Sequence, residues 1–270
     1  MSIYDADGTE TIAANAAGNG NMTLRQGDGS TGISLTANNG TGGAGVNVFR
    51  DNGTLAGQLT VANTSQDDGF LGVANRSGQN RFYARGSNGS DSQGGYAGFI
   101  NAAGVQTITL DASQGGSGHI TTQVLTITGG SDLSENFDIR SETEAPQPGM
   151  IVSIDPKNPG ELVLCRTGHD KRVAGIISGA GGVKTGMLMG QAGTKADGKH
   201  AVALTGRVYC HIDADAAGAI EPGDLITTSN TPGHGMRVKD HSQSSGAIIG
   251  KAMTALEKGK GLVLILVSLQ

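Results

Sequence analysis

The sequence predicts an all-β protein in two parts, a glycine-rich repetitive β-hairpin shaft and a compact C-terminal β-barrel domain. Three observations lead to this fold class. Short runs alternate apolar and polar residues, a polar corner with a glycine returns about every 25 residues, and the second half carries eight short apolar runs between turn residues. We place the shaft at residues 1–130, a junction at 131–148 and the C-terminal globular domain at 149–270.

The hairpin is clearest between Val46 and Val61, where two alternating runs flank a polar Asp-Asn-Gly corner. Polar, glycine-rich loops such as 37–45 and 86–95 separate this hairpin from its neighbours. The corner glycines of the repeats are Gly8, Gly29, Gly53, Gly78 and Gly104. Their spacings of 21, 24, 25 and 26 residues are typical of a repeat architecture, in which one unit cannot bury its own apolar face.

Energetics indicate that the repeats need partners. Ordering about 25 residues costs roughly 25 to 50 kcal/mol of backbone entropy. Each repeat offers only a few large apolar side chains, worth roughly 1.5 to 3 kcal/mol each when buried. The missing burial has to come from neighbouring repeats, from neighbouring chains, or from both. Closed cyclic symmetry supplies it, and we therefore expect a homotrimer whose shaft is an intertwined β-helix or β-prism. A single-chain β-solenoid is the alternative.

The shaft is expected to end in a long strand over His119–Thr128, which closes on Gly129-Gly130. Residues 131–139 then fit either a short capped turn of helix or an irregular crossover. The charged, proline-containing stretch 140–148 has the composition of a linker between domains.

The C-terminal domain is expected to be all-β, because its short apolar runs show no amphipathic helix pattern. The predicted strands are 149–155, 161–165, 173–178, 202–212, 224–228, 236–238, 247–253 and 261–269. The last of them is apolar on both faces, which predicts a place in the middle of a core or at a subunit contact.

The composition argues against two classes of function, nucleic-acid binding and membrane insertion. The formal net charge is -5, and no lysine precedes Lys157, so no basic stripe is available for nucleic acid. No apolar run is long enough to insert into a membrane, and the start lacks the features of a Sec signal peptide. Cys165 and Cys210 each lie in an apolar run, which favours buried, reduced thiols over a disulfide.

Candidate chemical sites are few, and we predict no catalytic, cofactor-binding or metal residue. Asp5-Ala-Asp-Gly8 begins like a calcium loop but lacks the later oxygen ligands, so an Asx turn is expected there. His211 and Asp213 are possible metal ligands on one strand face, or a solvent-facing polar strand edge. Four further histidines are expected at the surface, namely His169, His200, His234 and His241. Carboxylates for a glycan-cleaving activity would be Asp213, Asp215 and Glu221.

The second half resembles a C-terminal β domain of glycine-rich, fibre-like proteins of bacteria and phages. The resemblance covers residues 130–270 and rests on the segments 170–179, 202–210, 220–229, 232–238 and 246–252. The turn Glu221-Pro-Gly-Asp-Leu225 is also similar to turns of β-clip domains in phage head-decoration and sugar-binding contexts. The hairpin repeats resemble the shafts of trimeric phage tail fibres and of the related contractile injection systems.

The resemblance implies a homotrimeric tail fibre, or another receptor-binding or adhesion appendage, of a phage or contractile injection particle. Its partners would be copies of itself, a cell-surface glycan or protein receptor, and a baseplate or particle. It would be made in the bacterial cytoplasm without a Sec signal and would act in the virion or outside the cell. A self-assembling filament, a particle-decoration protein and a fibre-borne glycan depolymerase are the alternatives.

Overall fold

A computed structural model describes residues 1–15, 20–37, 44–61, 69–86, 94–112, 117–141 and 144–269. The chain divides into two compact units, Met1–Leu125 and Thr126–Gln270. The first unit is an eleven-stranded antiparallel sheet whose strands lie in sequence order. Its strands are β1 Ser2–Tyr4, β2 Glu10–Asn15, β3 Asn21–Arg25, β4 Thr31–Thr36, β5 Gly45–Phe49, β6 Leu55–Val61, β7 Gly69–Ala74, β8 Asn80–Arg85, β9 Tyr96–Ile100, β10 Gln106–Asp111 and β11 His119–Thr122.

Five tight corners confirm the predicted hairpins, and all five have the same backbone geometry. In the corner between β7 and β8, the Gly78 N–H donates to the Asn75 carbonyl at 2.9 Å, and the Asn75 N–H donates to the Gln79 carbonyl at 2.8 Å. The Asn75 side chain accepts two further backbone N–H groups, those of Ser77 and Gln79. The five corner glycines have φ between 77° and 83°, a left-handed conformation that glycine adopts without steric cost.

The other connections of the sheet contain residues 16–19, 38–43, 62–68, 87–93 and 113–116, which lie outside the described residues. Most of the loops predicted at 37–45 and 86–95 falls there. Within one chain the described strands form an antiparallel meander, not a solenoid. Intertwining between chains stays a prediction.

The long strand predicted over His119–Thr128 is too long by six residues, because β11 ends at Thr122. Thr122 lies opposite Ile108 of β10, and β10 begins at Gln106. The segment after Val124 therefore extends beyond the strand that β11 pairs with.

The second unit holds eleven more strands and one short α-helix, α1 Ala214–Ala217. Two 3₁₀ turns cover Ala180–Gly182 and His241–Gln243. In the described part of the chain, no helix is long and apolar enough to cross a membrane. The strands are β12 Asp132–Phe137, β13 Ile139–Arg140, β14 Ile151–Ile154, β15 Leu162–Leu164, β16 Val173–Ile177, β17 Met187–Met189, β18 His200–Asp213, β19 Leu225–Thr228, β20 Gly235–Arg237, β21 Ile248–Ala252 and β22 Lys260–Ser268.

Five strands of this unit close a β-barrel in the order β18, β20, β19, β21, β22, with β22 pairing back to β18. All eight strands predicted between 149 and 269 are present, as β14 to β16 and β18 to β22. The barrel interior is aliphatic, with Val208, Ile212, Ile226, Ile249 and Ile265 fully buried.

The helical turn suggested for residues 131–139 is wrong. Asp132–Phe137 is strand β12, which pairs antiparallel with β18 and parallel with β17. Its buried side chains are polar: Asp132 accepts the Ser134 hydroxyl and the Gly186 N–H. Because polar residues occupy the inward positions, an apolar alternation does not reveal this strand.

The final strand β22 is covered on one face only. Val263, Ile265 and Val267 are buried, whereas Leu262 and Leu266 are 40% and 45% exposed. Alternate residues of a strand point to opposite faces. Burial was predicted for both faces of β22, and within one chain only one of them is buried. The outer face is exposed to solvent in the single chain.

Cys165 and Cys210 are free and buried, as predicted. Burial raises the pKa of the Cys210 thiol, which keeps it protonated and unreactive. We expect few thiols to react with a thiol reagent in the native protein and two per chain after denaturation without reductant. The absence of reaction after denaturation would contradict this expectation and indicate a disulfide.

Candidate functional site

Two rows of residues, all apolar except Gly57 and Thr122, cross one face of the repeat sheet from strand to strand. Cross-strand partners share a face of a sheet, and so do residues two apart on one strand. Row A consists of Ile3, Ile12, Leu24, Ile33, Val48, Gly57, Val73, Phe82, Phe99, Ile108 and Thr122. Row B consists of Ala14, Met22, Leu35, Val46, Leu59, Leu71, Ala84, Ala97, Leu110 and Ile120. We call them together the apolar rows.

Side chains of the apolar rows are exposed even at the centre of the sheet. Leu59 on β6 is 59% exposed, and Leu71 and Val73 on β7 are 43% and 49% exposed. Among the described residues of the first unit, Ala74 is the one fully buried apolar side chain. Central strands normally bury such residues. The repeat sheet therefore has no hydrophobic core made by its own described residues.

A shallow apolar cavity of about 730 Å³ lies on this face. Row B lines it through Met22, Leu35, Val46 and Leu59, together with small residues such as Gly45. Such a concave apolar surface can receive side chains of another molecule.

The opposite face of the sheet is polar, with one aromatic cluster. Its central row includes Thr23, Ser34, Asn47, Gln58, Thr109 and Thr121.

In the aromatic cluster, the ring of Tyr83 lies 6.0 Å from that of Phe70 and 5.9 Å from that of Tyr96. The Tyr83 hydroxyl donates to Gln106 at 2.6 Å, and burial raises the pKa of Tyr83. The ring of Tyr83 covers Gly98, where a β-carbon would come within 2.8 Å of it. The cluster thus packs over a glycine of the neighbouring strand and stabilises the sheet from its polar side.

Asp5 forms the expected Asx turn, because its carboxylate accepts the N–H groups of Asp7 and Thr9. The possible metal ligands His211 and Asp213 are each engaged elsewhere. His211 Nε2 lies 3.2 Å from the Pro148 carbonyl oxygen. Asp213 accepts the Thr231 hydroxyl at 2.6 Å. No group of three or more His, Cys, Asp or Glu side chains able to hold a metal ion occurs among the described residues.

Of the four histidines predicted at the surface, only His241 is exposed. His169, His200 and His234 are half-buried. No sequence pattern indicates the contact between His234 and His211, whose ring centroids lie 5.4 Å apart. Burial, and next the neighbouring His234, lower the pKa of His211.

Two of the three carboxylates considered for glycan cleavage support local structure instead. Asp213 caps α1 by accepting the Asp215 N–H at 3.0 Å. Asp215 accepts the Gly259 N–H at 2.9 Å, whereas Glu221 is exposed. The hydrogen bonds from Thr231 and Asp215 lower the pKa of Asp213, which favours the ionised form over a general acid.

The buried carboxylate of Asp155 is expected to make the second unit sensitive to acid. Asp155 accepts Asn158 Nδ2, the Lys157 N–H and Arg140 Nε, and these contacts lower its pKa to about 2. A carboxyl group whose pKa is lower in the folded state stabilises the fold above its unfolded pKa of 3.8. That stabilisation is lost as the pH falls from about 4 towards about 2.

We therefore expect Asp155→Asn to lower the melting temperature by a constant amount above about pH 5. The difference from the unsubstituted protein should shrink between pH 4 and pH 2. Melting curves of both proteins across this range measure it. A difference that is independent of pH would show that the ionisation of Asp155 does not stabilise the fold.

Scans against protein-family models and against curated proteins find no match to this chain.

Proposed function

We propose that this chain is the structural subunit of a homotrimeric fibre, in which the repeat sheet forms the shaft and the second unit a globular end. The observation that carries the proposal is the pair of apolar rows. They cross the whole described sheet, and their side chains are exposed or only half-buried. The described residues of this unit contain almost no buried core.

The dimensions of the apolar rows suit association between copies. Eleven strands spaced about 4.8 Å apart make a strip roughly 50 Å long and two side chains wide. Its projected area is on the order of 600 Å², close to the roughly 800 Å² per partner of a standard interface. Every copy presents the same strip. Three copies around one axis would turn these strips inward and leave the polar faces in solvent.

The repeat sheet is regular enough for a shaft. The five corners share one geometry, and each adds a hairpin that places the same two positions per strand on the apolar face. Together with the resemblance of the repeats to phage tail-fibre shafts, this supports a receptor-binding or adhesion fibre of a phage or contractile injection particle. Its ligand would be a cell-surface glycan or protein.

Light scattering on the purified protein tests the proposal. The expected mass is three times the 27.2 kDa of one chain, or about 82 kDa. A monodisperse species of one chain mass would overturn it. Electron microscopy of the same material separates the fibre from its alternative, because discrete rods with one knob are expected and open-ended polymers would indicate a filament.

A further inference from the structure

We propose that residues 123–128, the segment that follows β11, form a β-strand with the same segment of other copies in the assembly. This inference rests on the proposed self-association and adds a specific site to it. The segment reads Gln123-Val-Leu-Thr-Ile-Thr128, and all six residues are exposed.

The side chains of this segment are those of a buried strand and not of a linker. Val124 is 78% exposed, Leu125 66% and Ile127 41%. Flexible linkers are rich in glycine, serine, proline or charge, none of which occurs here. Valine, isoleucine and threonine favour extended structure, because their branched side chains pack well on a pleated surface.

Among the described residues, the backbone of the segment has no partner strand. Within the described residues, no backbone N–H of 123–128 donates to a backbone carbonyl. The Thr122 hydroxyl donates to the Val124 carbonyl at 3.2 Å. β10 starts at Gln106, so the sheet ends beside Val124 and the segment continues past it.

Another copy of the chain is the partner that this geometry favours. Apolar extended segments with unpaired backbone groups aggregate unless they are paired or covered. The apolar rows end on β11 at Thr122 and Ile120, next to this segment. If rows of several copies face one axis, their segments emerge beside one another at the same height. In an extended strand Leu125 and Ile127 share one face and would point to the same side.

A cross-linking experiment on the full chain tests the inference. Cys165 and Cys210 are buried, so an added cysteine is the main accessible thiol. With a short bis-maleimide, Leu125→Cys should give a cross-linked pair of chains in at least about ten times the yield of Thr121→Cys. Thr121 is exposed on the polar face of β11, four residues away, and is the matched control.

Hydrogen exchange gives a readout that needs no substitution. Peptides covering 123–128 should exchange at least about a hundredfold more slowly than an unstructured peptide of the same sequence. Fast exchange, or equal cross-linking at 121 and 125, in material of trimer mass would overturn this inference and leave the proposed fibre standing. Material of monomer mass would overturn both.

Discussion

Replacing Leu59 with glutamate should dissociate the assembly into single chains. Leu59 lies at the centre of row B, opposite Leu71, and 59% of it is exposed in the isolated chain. Closure around an axis would bring one carboxylate per chain into an apolar interior. An unpaired buried charge costs several kcal/mol, so we expect the dissociation constant to rise at least about a thousandfold.

The matched control is Gln58→Glu, which adds the same charge on the neighbouring residue. Gln58 pairs with Asn47 and Gly72 on the polar face, so its variant should keep the mass of the unsubstituted protein. Light scattering over a range of concentrations measures both variants. If Leu59→Glu keeps the oligomeric mass, or if both variants dissociate equally, the apolar rows are not the interface.

Much of the repeat sheet could be predicted because the corners set its register. Counting from each corner glycine, the residues at plus four and plus six lie in rows A and B, for example Ile12 and Ala14 after Gly8. The same holds for Ile108 and Leu110 after Gly104. A turn of fixed length fixes which side chains share a face, so a local pattern determines a surface that crosses eleven strands.

The strands that escaped prediction depend on contacts that are distant in sequence. β12 is hidden because its inward residues Asp132 and Ser134 are polar and satisfied by each other and by Gly186. All three residues of β17 are exposed, and β17 is a strand because its backbone pairs with β12. The end of β11 depends on where β10 begins. None of these long-range contacts produces an alternation of apolar and polar residues within the segment itself.

The candidate site was only partly visible in the sequence. The need for outside burial followed from the small number of apolar residues per repeat. The contact between His211 and His234, and the capping roles of Asp213 and Asp215, could not be foreseen because they depend on how β18 meets the following loops. Residue type suggested metal binding or acid–base chemistry at these positions. The neighbours that the fold supplies give His211, Asp213 and Asp215 structural contacts instead.

Deleting residues 262–270 should leave the second unit unfolded or aggregated. β22 pairs with β18 from Thr205 to Asp213 and with β21, so its loss opens the barrel. Three of its side chains, Val263, Ile265 and Val267, are fully buried. At roughly 1.5 to 3 kcal/mol each they contribute about 5 to 9 kcal/mol, comparable with the 5 to 15 kcal/mol net stability of a typical domain. Solubility and circular dichroism of the truncated protein measure the effect.

Milder variants distinguish a core role of β22 from a general effect of truncation. Ile265→Ala should destabilise the second unit by about 2 to 5 kcal/mol, because it leaves a cavity in the barrel. Leu266→Ala, one residue further and on the outer face, should change its stability by less than about 1 kcal/mol in the single chain. Deleting residues 1–68, which removes β1 to β6, should leave a shorter soluble oligomer, because repeat arrays tolerate the loss of whole units. A soluble 262–270 deletion with unchanged mass and melting temperature would place the core of this unit elsewhere.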